Sequence, residues 1–471
     1  MEQKKTASNK ILWIFAIGQL GWSLLAGIVN DWLVFFFQPS AEELEKGQVE
    51  FLPSELFLGL TAIGLISAFG RVFDAVTDPL IASRSDNLRH RLGRRIPFMR
   101  LAAVPFGAVT VLLFFSPFPA GAGGNAAALF VFAMLFYFCM TCYCTPYNAL
   151  IPELGRTQNA RINHSAFISV TYFFGTALAY LVPNIAAVFL PSMGYAGAFR
   201  VTVGILSVIA VICMLIPAFL IDENVYADTT RSEESALRSL VSTFRNKDFR
   251  LFVCSDILYW LALTLFQTGL SFYITVLMGL DSTMTFPLFA VMTVMSLLFY
   301  PAVNILAKRL GKKRLIAFAF LFFAMVFGIT AFAGLTPIPG LVYGILIAVL
   351  ASLPMAILGI LPQAVIADIS EADQIDTGQS RQGMFYAART FAMKLGQSGA
   401  MLLFTRMALI GRDAARGSAG YGFGYRLTAA AATVLCILGG VVFLCYNEKK
   451  ILTRITGQTA KEENHAEAEN R

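Results

Sequence analysis

The chain is poor in charged residues. Only 14% of its 471 residues are Asp, Glu, Lys or Arg, whereas 57% are hydrophobic. An average soluble domain is about 25% charged, so this composition indicates a protein with many membrane spans. The net charge of +7 does not indicate nucleic-acid binding, because the basic residues collect in short loops between apolar segments.

Reactive and metal-binding side chains are also scarce. The three histidines fall in predicted loops and the tail, and the odd number of cysteines, seven, excludes a complete disulfide framework. Cys139, Cys142 and Cys144 lack the spacing at which helical thiolates converge on zinc. The sequence contains no Walker loop, nucleophile elbow or HExxH motif, which argues against ATP-driven transport and against an enzyme.

Long apolar runs predict about twelve transmembrane helices in an all-α integral membrane protein. The runs lie at 11–37, 56–83, 96–117, 126–152, 163–190, 198–220, 251–279, 284–307, 315–334, 340–366, 383–410 and 424–446. The even-numbered gaps are rich in Lys and Arg, and the first gap is acidic. The positive-inside rule therefore predicts that both termini are cytoplasmic, in a multi-pass protein of the cytoplasmic (inner) membrane.

A long hydrophilic interval divides the chain into two halves. We predict an N-terminal six-helix bundle, a cytoplasmic central loop, a C-terminal six-helix bundle and a cytoplasmic tail at 1–221, 222–250, 251–446 and 447–471. A repeated loop supports this division, because RLGRR follows the second span and RLGKK follows the eighth, at 91–95 and 309–313. Alternatively, the two loops are alike only because the positive-inside rule favours basic residues in any tight cytoplasmic turn.

Three ionisable side chains interrupt the second span. Asp74 and Asp78 are four residues apart and share one helical face, with Arg71 one turn before Asp74. A carboxylate at bilayer depth costs about 2.5 to 3.5 kcal/mol, so this face must look into a bundle interior or a watery cavity. A proton or a small cation relieves the repulsion between paired carboxylates. The pair is a candidate coupling-ion site, although both acids could instead pair with Arg71 and Lys394 only to hold helices together.

Further motifs carry a resemblance to a known family. The loop with Asp86, Gly93, Arg94 and Arg95 resembles that of the major facilitator superfamily. The segments RVFDAVTDP, PYNALIP and ADI, together with Lys394 in the eleventh predicted helix, resemble the glycoside-pentoside-hexuronide:cation symporters, the family of melibiose permease. The resemblance implies the major facilitator fold and cation-coupled transport by alternating access.

The resemblance also implies residue roles. Asp74 and Asp78 would bind Na⁺, Li⁺ or H⁺, with Thr77 and Thr141 as further ligands. Lys394 would lie near these acids and, with Arg71, balance their charge. The galactoside carriers of this family bind sugar with two acids and a tryptophan, whereas the aligned positions here are Ser23, Cys144 and Asn148. An α-galactoside substrate is therefore not expected.

Other polar or aromatic residues in the spans are substrate-binding candidates. Together with the three aligned positions they are Gln19, Trp22, Ser23, Asp31, Tyr143, Cys144, Asn148, Asp256 and Gln363. Their alternatives are solvation at a helix end for Asp31 and Asp256, and simple packing for Trp22. The gating candidates are Asp86, Arg94, Arg95, Asp368 and Arg381, for which a plain solvated loop is the alternative.

The sequence thus predicts a secondary active symporter that carries a sugar or glycoside with Na⁺ or H⁺. The partners expected are a small-molecule substrate, a monovalent cation and the lipid bilayer, with no nucleic acid, no cofactor and no metal beyond a possible Na⁺, and the chain is expected to be a monomer. The first alternative is a cation-coupled carrier of a lysophospholipid or other amphipathic solute. The second is a transport-inactive membrane sensor or scaffold, for which the tail at 447–471 is too short and too charged to form a folded module.

Overall fold

The regular elements of the protein are helices. The computed structural model describes residues 7–455 except 54–58, 156–157, 227–242, 378–381, 413, 416 and 419. In chain order the helices are α1 Asn9–Phe37, α2 Ala41–Glu45, α3 Ala62–Asn87, α4 Ile96–Leu112, α5 Gly123–Leu154, α6 Gln158–Tyr180, α7 Val182–Leu220, α8 Glu223–Tyr226, α9 Lys247–Phe272, α10 Thr285–Leu310, α11 Lys312–Ala331, α12 Gly340–Thr377, α13 Gln382–Ala408 and α14 Phe423–Leu444. A π-helical turn, Tyr273–Leu277, continues α9, and a 3-10 turn, Ser282–Met284, precedes α10.

These helices confirm the predicted all-α membrane fold. Each of the predicted apolar runs overlaps a helix among the described residues. Among the described residues, eight helical segments are long and apolar enough to cross a bilayer. The predicted second span, α3, is less apolar because Arg71, Asp74 and Asp78 lie within it, and α4 is short, at 17 residues.

A kink inside α7 separates the predicted fifth and sixth spans. Gly194 has φ +66° and ψ 177°, a conformation that breaks the helical path. Side chains are strained at such a φ, so glycine suits the turn. The fifth span therefore consists of α6 and the first part of α7, and the sixth consists of the rest of α7.

The described chain packs as two compact units. The first takes in the described residues of Met1–Glu233, Gln267–Phe289 and Met401–Tyr425. The second takes in those of Glu234–Phe266, Ala290–Ala400 and Arg426–Arg471. Two segments from the second half of the sequence thus belong to the first unit. The boundaries drawn from the sequence between bundles, central loop and tail remain predictions.

Within the first unit, α3 and α5 approach each other closely. A Cβ at Gly70 would lie 2.2 Å from the ring of Tyr137, so only glycine fits here. α4 also packs on α5, and α1 packs on α6 and α7. The close contact between α3 and α5 brings the acidic face of α3 opposite the hydroxyl groups of α5.

Within the second unit, α11 packs on α12, and α9 is tied to α14. The Ser255 hydroxyl donates a hydrogen bond of 2.8 Å to the Gly439 carbonyl. The next residue of α9, Asp256, is buried in this packed region.

Candidate cation and substrate site

Asp74 forms the centre of a buried oxygen cluster. The Thr141 hydroxyl on α5 donates a 2.7 Å hydrogen bond to Asp74 Oδ1. The Thr77 hydroxyl lies 3.3 Å from that of Thr141, and it also donates to the carbonyl of Phe73 at 3.0 Å. Asp74 and Thr141 are each 1% exposed. Three of the four residues predicted to bind the cation are therefore in mutual contact.

Asp78 meets a hydroxyl that sequence reasoning missed. The Thr145 hydroxyl donates a 3.1 Å hydrogen bond to Asp78 Oδ1. Thr141 and Thr145 are four residues apart on α5, as Asp74 and Asp78 are on α3, so the two helices present matched pairs one turn apart. This shared spacing was the signal that could have identified Thr145.

Carboxylate and hydroxyl oxygens are the donors that a hard cation such as Na⁺ prefers. The cluster supplies them from Asp74, Asp78, Thr77, Thr141 and Thr145. Among the residues that the structure describes, no group of three or more His, Cys, Asp or Glu could hold a metal ion in the usual protein manner. The donor set fits a transported monovalent cation or a proton.

Arg71 extends the polar cluster from α3 to α1. Its guanidinium donates a hydrogen bond to Asn30 Oδ1 and lies 5.6 Å from the centre of the Tyr137 ring. Arg71 is buried, so this positive charge is held away from solvent one turn before Asp74. The predicted charge-balancing cation thus also connects the cation cluster to the first helix.

Lys394 lies on α13 in the second unit and is buried there. Asp74 and Asp78 lie in the first unit. The charge balance between Lys394 and the two acids therefore remains a prediction from the family resemblance.

Asp31 is a buried substrate-binding candidate of the first unit. It lies on α1 and is 9% exposed. α1 and α6 are in close contact at this level, because the Trp32 indole donates a 2.8 Å hydrogen bond to the Ala179 carbonyl. Asp31 follows Asn30, the residue of α1 that accepts a hydrogen bond from Arg71.

The other first-unit candidates are dispersed. Tyr143 is fully buried, and its hydroxyl donates to the Met214 carbonyl at 2.9 Å. Ser23 is buried and donates to the Leu20 carbonyl at 3.2 Å. Trp22 makes an edge contact with the Tyr172 ring, with centroids 6.2 Å apart. Gln19 is buried, Cys144 is half-buried and Asn148 is exposed.

Asp256 is held by a partner that was not foreseen. Arg389 Nε and a terminal nitrogen donate to its two carboxylate oxygens at 2.8 and 3.0 Å, and both residues are buried. The Arg389 guanidinium also lies 5.8 Å from the centre of the Phe252 ring. Breaking such a buried pair costs about 3 to 5 kcal/mol, so a substrate would have to replace Arg389 to bind Asp256. Gln363, the remaining candidate, is exposed on α12.

The gating candidates of the first unit form one ion-pair network. Arg95 pairs with Asp86 at 3.2 Å and with Glu153 of α5. Arg94 lies 3.7 Å from the same Glu153 carboxylate. Glu223, at the start of α8, accepts hydrogen bonds from the backbone N–H groups of Arg95 and Ile96 at 2.7 and 3.0 Å. Glu153 and Glu223 were not singled out from the sequence.

The second unit contains the corresponding loop with a simpler ion pair. Asp368 pairs with Lys312 at 2.5 Å. Glu448 accepts hydrogen bonds from the backbone N–H groups of Lys312 and Lys313 at 2.8 and 3.0 Å. Glu448 follows the twelfth span as Glu223 follows the sixth, and this equivalent position was the available signal. Arg381, the last gating candidate, lies outside the described residues.

Comparison with known proteins places these features in context. Residues 14–451 match the family described as MFS/sugar transport protein. A crystal structure of the nucleoside transporter NupG covers 93% of this chain and 100% of its own, with a TM-score of 0.66 and 12% identity. At that identity the likeness shows the fold alone, which is the major facilitator fold that the sequence predicted.

Curated relatives match shorter stretches. "Uncharacterized symporter sll1374" of Synechocystis sp. is 29% identical over 205 residues, which are 42% of this chain and 35% of that protein. "Putative glycoside/cation symporter YagG" of Escherichia coli is 33% identical over 134 residues, 27% of each chain. "Sodium-dependent lysophosphatidylcholine symporter 1" of Xenopus tropicalis is 34% identical over 112 residues, 23% of this chain and 21% of that one. The chain thus matches about a third or less of the length of these three relatives.

Proposed function

Because the chain belongs to the MFS/sugar transport protein family, we propose that it is a secondary active symporter that takes up a sugar or glycoside together with Na⁺ or H⁺. Under this proposal it lies in the cytoplasmic membrane with both termini in the cytoplasm and works as a monomer. The names of three relatives include the word symporter, which supports coupled transport.

The observation that carries the proposal is the buried cluster of Asp74, Thr77 and Thr141, with Asp78 and Thr145 one turn further on. Intramembrane acids are costly, and they persist where they bind an ion or a proton. The matched hydroxyl groups of α5 can complete the coordination shell of a cation held by the carboxylates of α3. Under this proposal the transported cation binds in the first unit, between α3 and α5.

Movement of the bound cation across the membrane also supplies the driving force for substrate accumulation. One positive charge moving down a potential of 100 mV releases about 2.3 kcal/mol. At about 1.4 kcal/mol per factor of ten, that energy supports roughly 50-fold accumulation of substrate before any ion gradient is added. Alternating access then requires that the loaded carrier change conformation more readily than the half-loaded one.

Two classes of substrate are candidates for this symporter. The name of YagG includes glycoside and cation, which favours a sugar or glycoside. The relative from Xenopus tropicalis is named for lysophosphatidylcholine, and Ser23, Cys144 and Asn148 stand where galactoside carriers have sugar-binding side chains, so a lysophospholipid is the second candidate.

The deciding experiment is uptake into vesicles that contain the purified chain, with Na⁺ and pH gradients imposed separately. A panel of labelled glycosides and labelled lysophosphatidylcholine is tested in each condition. We expect concentrative uptake of one class under one gradient. Concentrative uptake of lysophosphatidylcholine alone would overturn the sugar assignment, and uptake that ignores both gradients would overturn coupling.

The cation site is tested by Asp74→Asn and Asp78→Asn. Both variants keep the shape of the side chain and remove its charge, so we expect concentrative uptake to fall to the level of empty vesicles while downhill exchange persists. Asp222→Asn, an equivalent change at an exposed residue, should behave as the parent chain does. Retained concentrative uptake in both site variants would contradict the assignment.

A further inference from the structure

Three side chains of the second unit, on α9 and α13, each bury a polar atom that has no hydrogen-bond partner among the described residues. These atoms are the indole Nε1 of Trp260, the hydroxyl oxygen of Thr264 and the amide oxygen of Gln397. Thr264 as a whole is only 6% exposed. A buried polar group without a partner has lost its hydration and gained nothing in return, so each such group needs an explanation.

Thr264 departs from the usual bonding of a threonine in a helix. The hydroxyl groups of Thr110, Thr202 and Thr330, which are 0% exposed, each donate to the carbonyl four residues earlier at 2.8 to 2.9 Å. Thr264 makes no such bond among the described residues. Its hydroxyl is therefore available to a group outside its own helix.

Glycine residues of α13 bring that helix close to α9. A Cβ at Gly396 would lie 2.8 Å from a backbone oxygen of α9, and one at Gly399 would lie 3.6 Å from the end of the Leu261 side chain. Gln397 lies between these two glycines in the sequence, and Thr264 lies three residues after Leu261. The unpaired groups of the two helices therefore belong to the region where α9 and α13 meet.

The three groups also share helical faces with an ion pair that joins the same helices. Asp256 of α9 and Arg389 of α13 pair through two hydrogen bonds. Trp260 and Thr264 follow Asp256 at intervals of four residues, and Gln397 follows Arg389 at twice that interval. With the glycine contacts, this spacing brings the three groups within about one helical turn of one another along α9 and α13.

The first half of the chain repeats the tryptophan. Trp22 lies as far from Asn9, the first residue of α1, as Trp260 lies from Lys247, the first residue of α9. The indole Nε1 of Trp22 is also buried without a partner among the described residues. Each indole makes an edge contact with a tyrosine ring, with centroids 6.2 Å apart for Trp22 and 5.5 Å apart for Trp260. The same unpaired donor at equivalent positions of both halves indicates a function.

The hydrogen-bonding chemistry of the three groups matches that of a hydroxyl. An indole N–H only donates, an amide oxygen only accepts, and a threonine hydroxyl does either. A sugar hydroxyl donates and accepts, so a sugar can satisfy all three groups while its apolar face packs on the indole ring. A phosphocholine group has acceptors but no donor, so it would leave the amide oxygen of Gln397 unpaired.

We propose that Trp260, Thr264 and Gln397 form a subsite that binds hydroxyl groups of a neutral sugar or glycoside. The inference rests on the proposed symport function and assigns its substrate class to named residues. Trp260 donates to a sugar oxygen, Gln397 accepts from a sugar hydroxyl, and Thr264 does either. The Asp256–Arg389 pair one turn earlier satisfies its own charges, which suits an uncharged substrate.

The test measures substrate affinity in variants that each remove one polar atom. Parent and variant chains are placed in vesicles, and downhill uptake of labelled methyl glycosides of hexoses and pentoses gives KM and kcat. Thr264→Val keeps the shape of the side chain and removes its hydroxyl, and Trp260→Phe and Gln397→Met are the corresponding changes at the other positions. We expect each variant to raise KM by about five- to tenfold, the value of one hydrogen bond, with kcat little changed.

Monodeoxy analogues of the transported glycoside identify the hydroxyl that each residue binds. In the parent chain, the analogue that lacks the hydroxyl bound by Thr264 should have a KM about five- to tenfold above that of the glycoside. In Thr264→Val the same two compounds should differ by less than about twofold, because the group that distinguished them is gone. Trp260→Phe and Gln397→Met should each lose discrimination in the same way.

Unfolding in detergent separates a binding role from a structural one. Because the Thr264 hydroxyl has no partner among the described residues, Thr264→Val should leave the unfolding midpoint unchanged or raise it. Thr330→Val is the matched control, since Thr330 is buried in α11 of the same unit and its hydroxyl donates to the Val326 carbonyl at 2.9 Å. It should keep the parent KM and lower the midpoint slightly.

The outcomes distinguish this inference from the proposed function. If the parent chain shows cation-driven glycoside uptake but all three variants keep its KM and its discrimination among deoxy analogues, the inference alone fails. It also fails if Thr264→Val lowers the unfolding midpoint and leaves KM unchanged, which would show a structural role. If the parent carries lysophosphatidylcholine and none of the glycosides, the sugar assignment and the subsite fail together. Downhill uptake needs no coupling, so a chain that ignores Na⁺ and pH gradients still tests the subsite.

Discussion

The loop after α3 and the loop after α10 share one local design. In each, a glycine at positive φ, Gly93 at +100° and Gly311 at +84°, comes just before basic residues at the start of a helix: Arg94 and Arg95 directly precede α4, and Lys312 and Lys313 are the first residues of α11. In each, a glutamate from the end of the same half accepts two backbone N–H groups at the start of that helix, Glu223 in the first loop and Glu448 in the second. Basic residues at a helix N-terminus are unfavourable with the helix dipole, and the glutamate offsets this.

The two loops differ in what surrounds the side chain of the residue that donates the first backbone N–H to the glutamate, Arg95 in one loop and Lys312 in the other. Arg95 is buried between two carboxylates, Asp86 and Glu153. Lys312 pairs with one carboxylate, that of Asp368, among the described residues, and its side chain is more exposed than that of Arg95. The glutamate that accepts the backbone N–H groups is therefore the feature that the two loops share. In both loops it lies where basic residues meet the start of a helix. Among the described residues of these two loops, a basic side chain between two carboxylates occurs in the first and not in the second.

The largest difference in stability is expected between variants that remove the basic side chains of Arg95 and Lys312. Arg95→Ala removes the buried guanidinium between the partly exposed Asp86 and Glu153, so we expect a loss at the lower end of the range for buried pairs, about 3 kcal/mol. Lys312→Ala breaks a more exposed pair and should cost about 1 kcal/mol or less. Thermal unfolding of the purified chain in detergent measures both, with the exposed Arg91→Ala as a control. Equal losses at Arg95 and Lys312 would contradict the stated difference.

A smaller effect is expected from replacing the two glycines by alanine. A side chain at positive φ costs about 1 to 3 kcal/mol at either position. At Gly93 the added Cβ would also lie 2.6 Å from the Cβ of Glu223, whereas at Gly311 the nearest atom is the tip of Glu448 at 3.0 Å. We therefore expect Gly93→Ala to lower the unfolding midpoint more than Gly311→Ala. A larger loss for Gly311→Ala would show that the Glu223 side chain moves away from the added Cβ at little cost, and would contradict the expected order.

The fold was predictable because apolar run length reports directly on membrane spans. Each predicted run overlaps a helix among the described residues, and the fold-class prediction is confirmed. The spacing of Asp74 and Asp78 also identified a shared face, because helical periodicity fixes which residues of one helix lie together. Both inferences need only information from a single helix.

What the sequence did not reveal depends on which helices are neighbours. Thr145 contacts Asp78 only because α3 and α5 meet at Gly70, and the pairing of Asp256 with Arg389 joins α9 to α13. Glu223 lies in a polar interval that was interpreted as a loop, so its role at the start of α4 was not visible. Periodicity identifies a face, but it does not identify what that face touches.

The smallest predicted effect isolates the shared cap itself. Glu223→Gln and Glu448→Gln keep an oxygen for the backbone N–H groups but remove the charge that offsets the helix dipole. The four hydrogen bonds are 2.7 to 3.0 Å long in both loops, so geometry is matched, whereas Glu223 is buried and Glu448 is half-exposed. Charge–dipole interactions are worth about 0.3 to 1 kcal/mol when exposed and up to about 2 kcal/mol when partly buried. Thermal unfolding should therefore show about twice the loss for Glu223→Gln, and equal losses would mean that burial does not strengthen the cap.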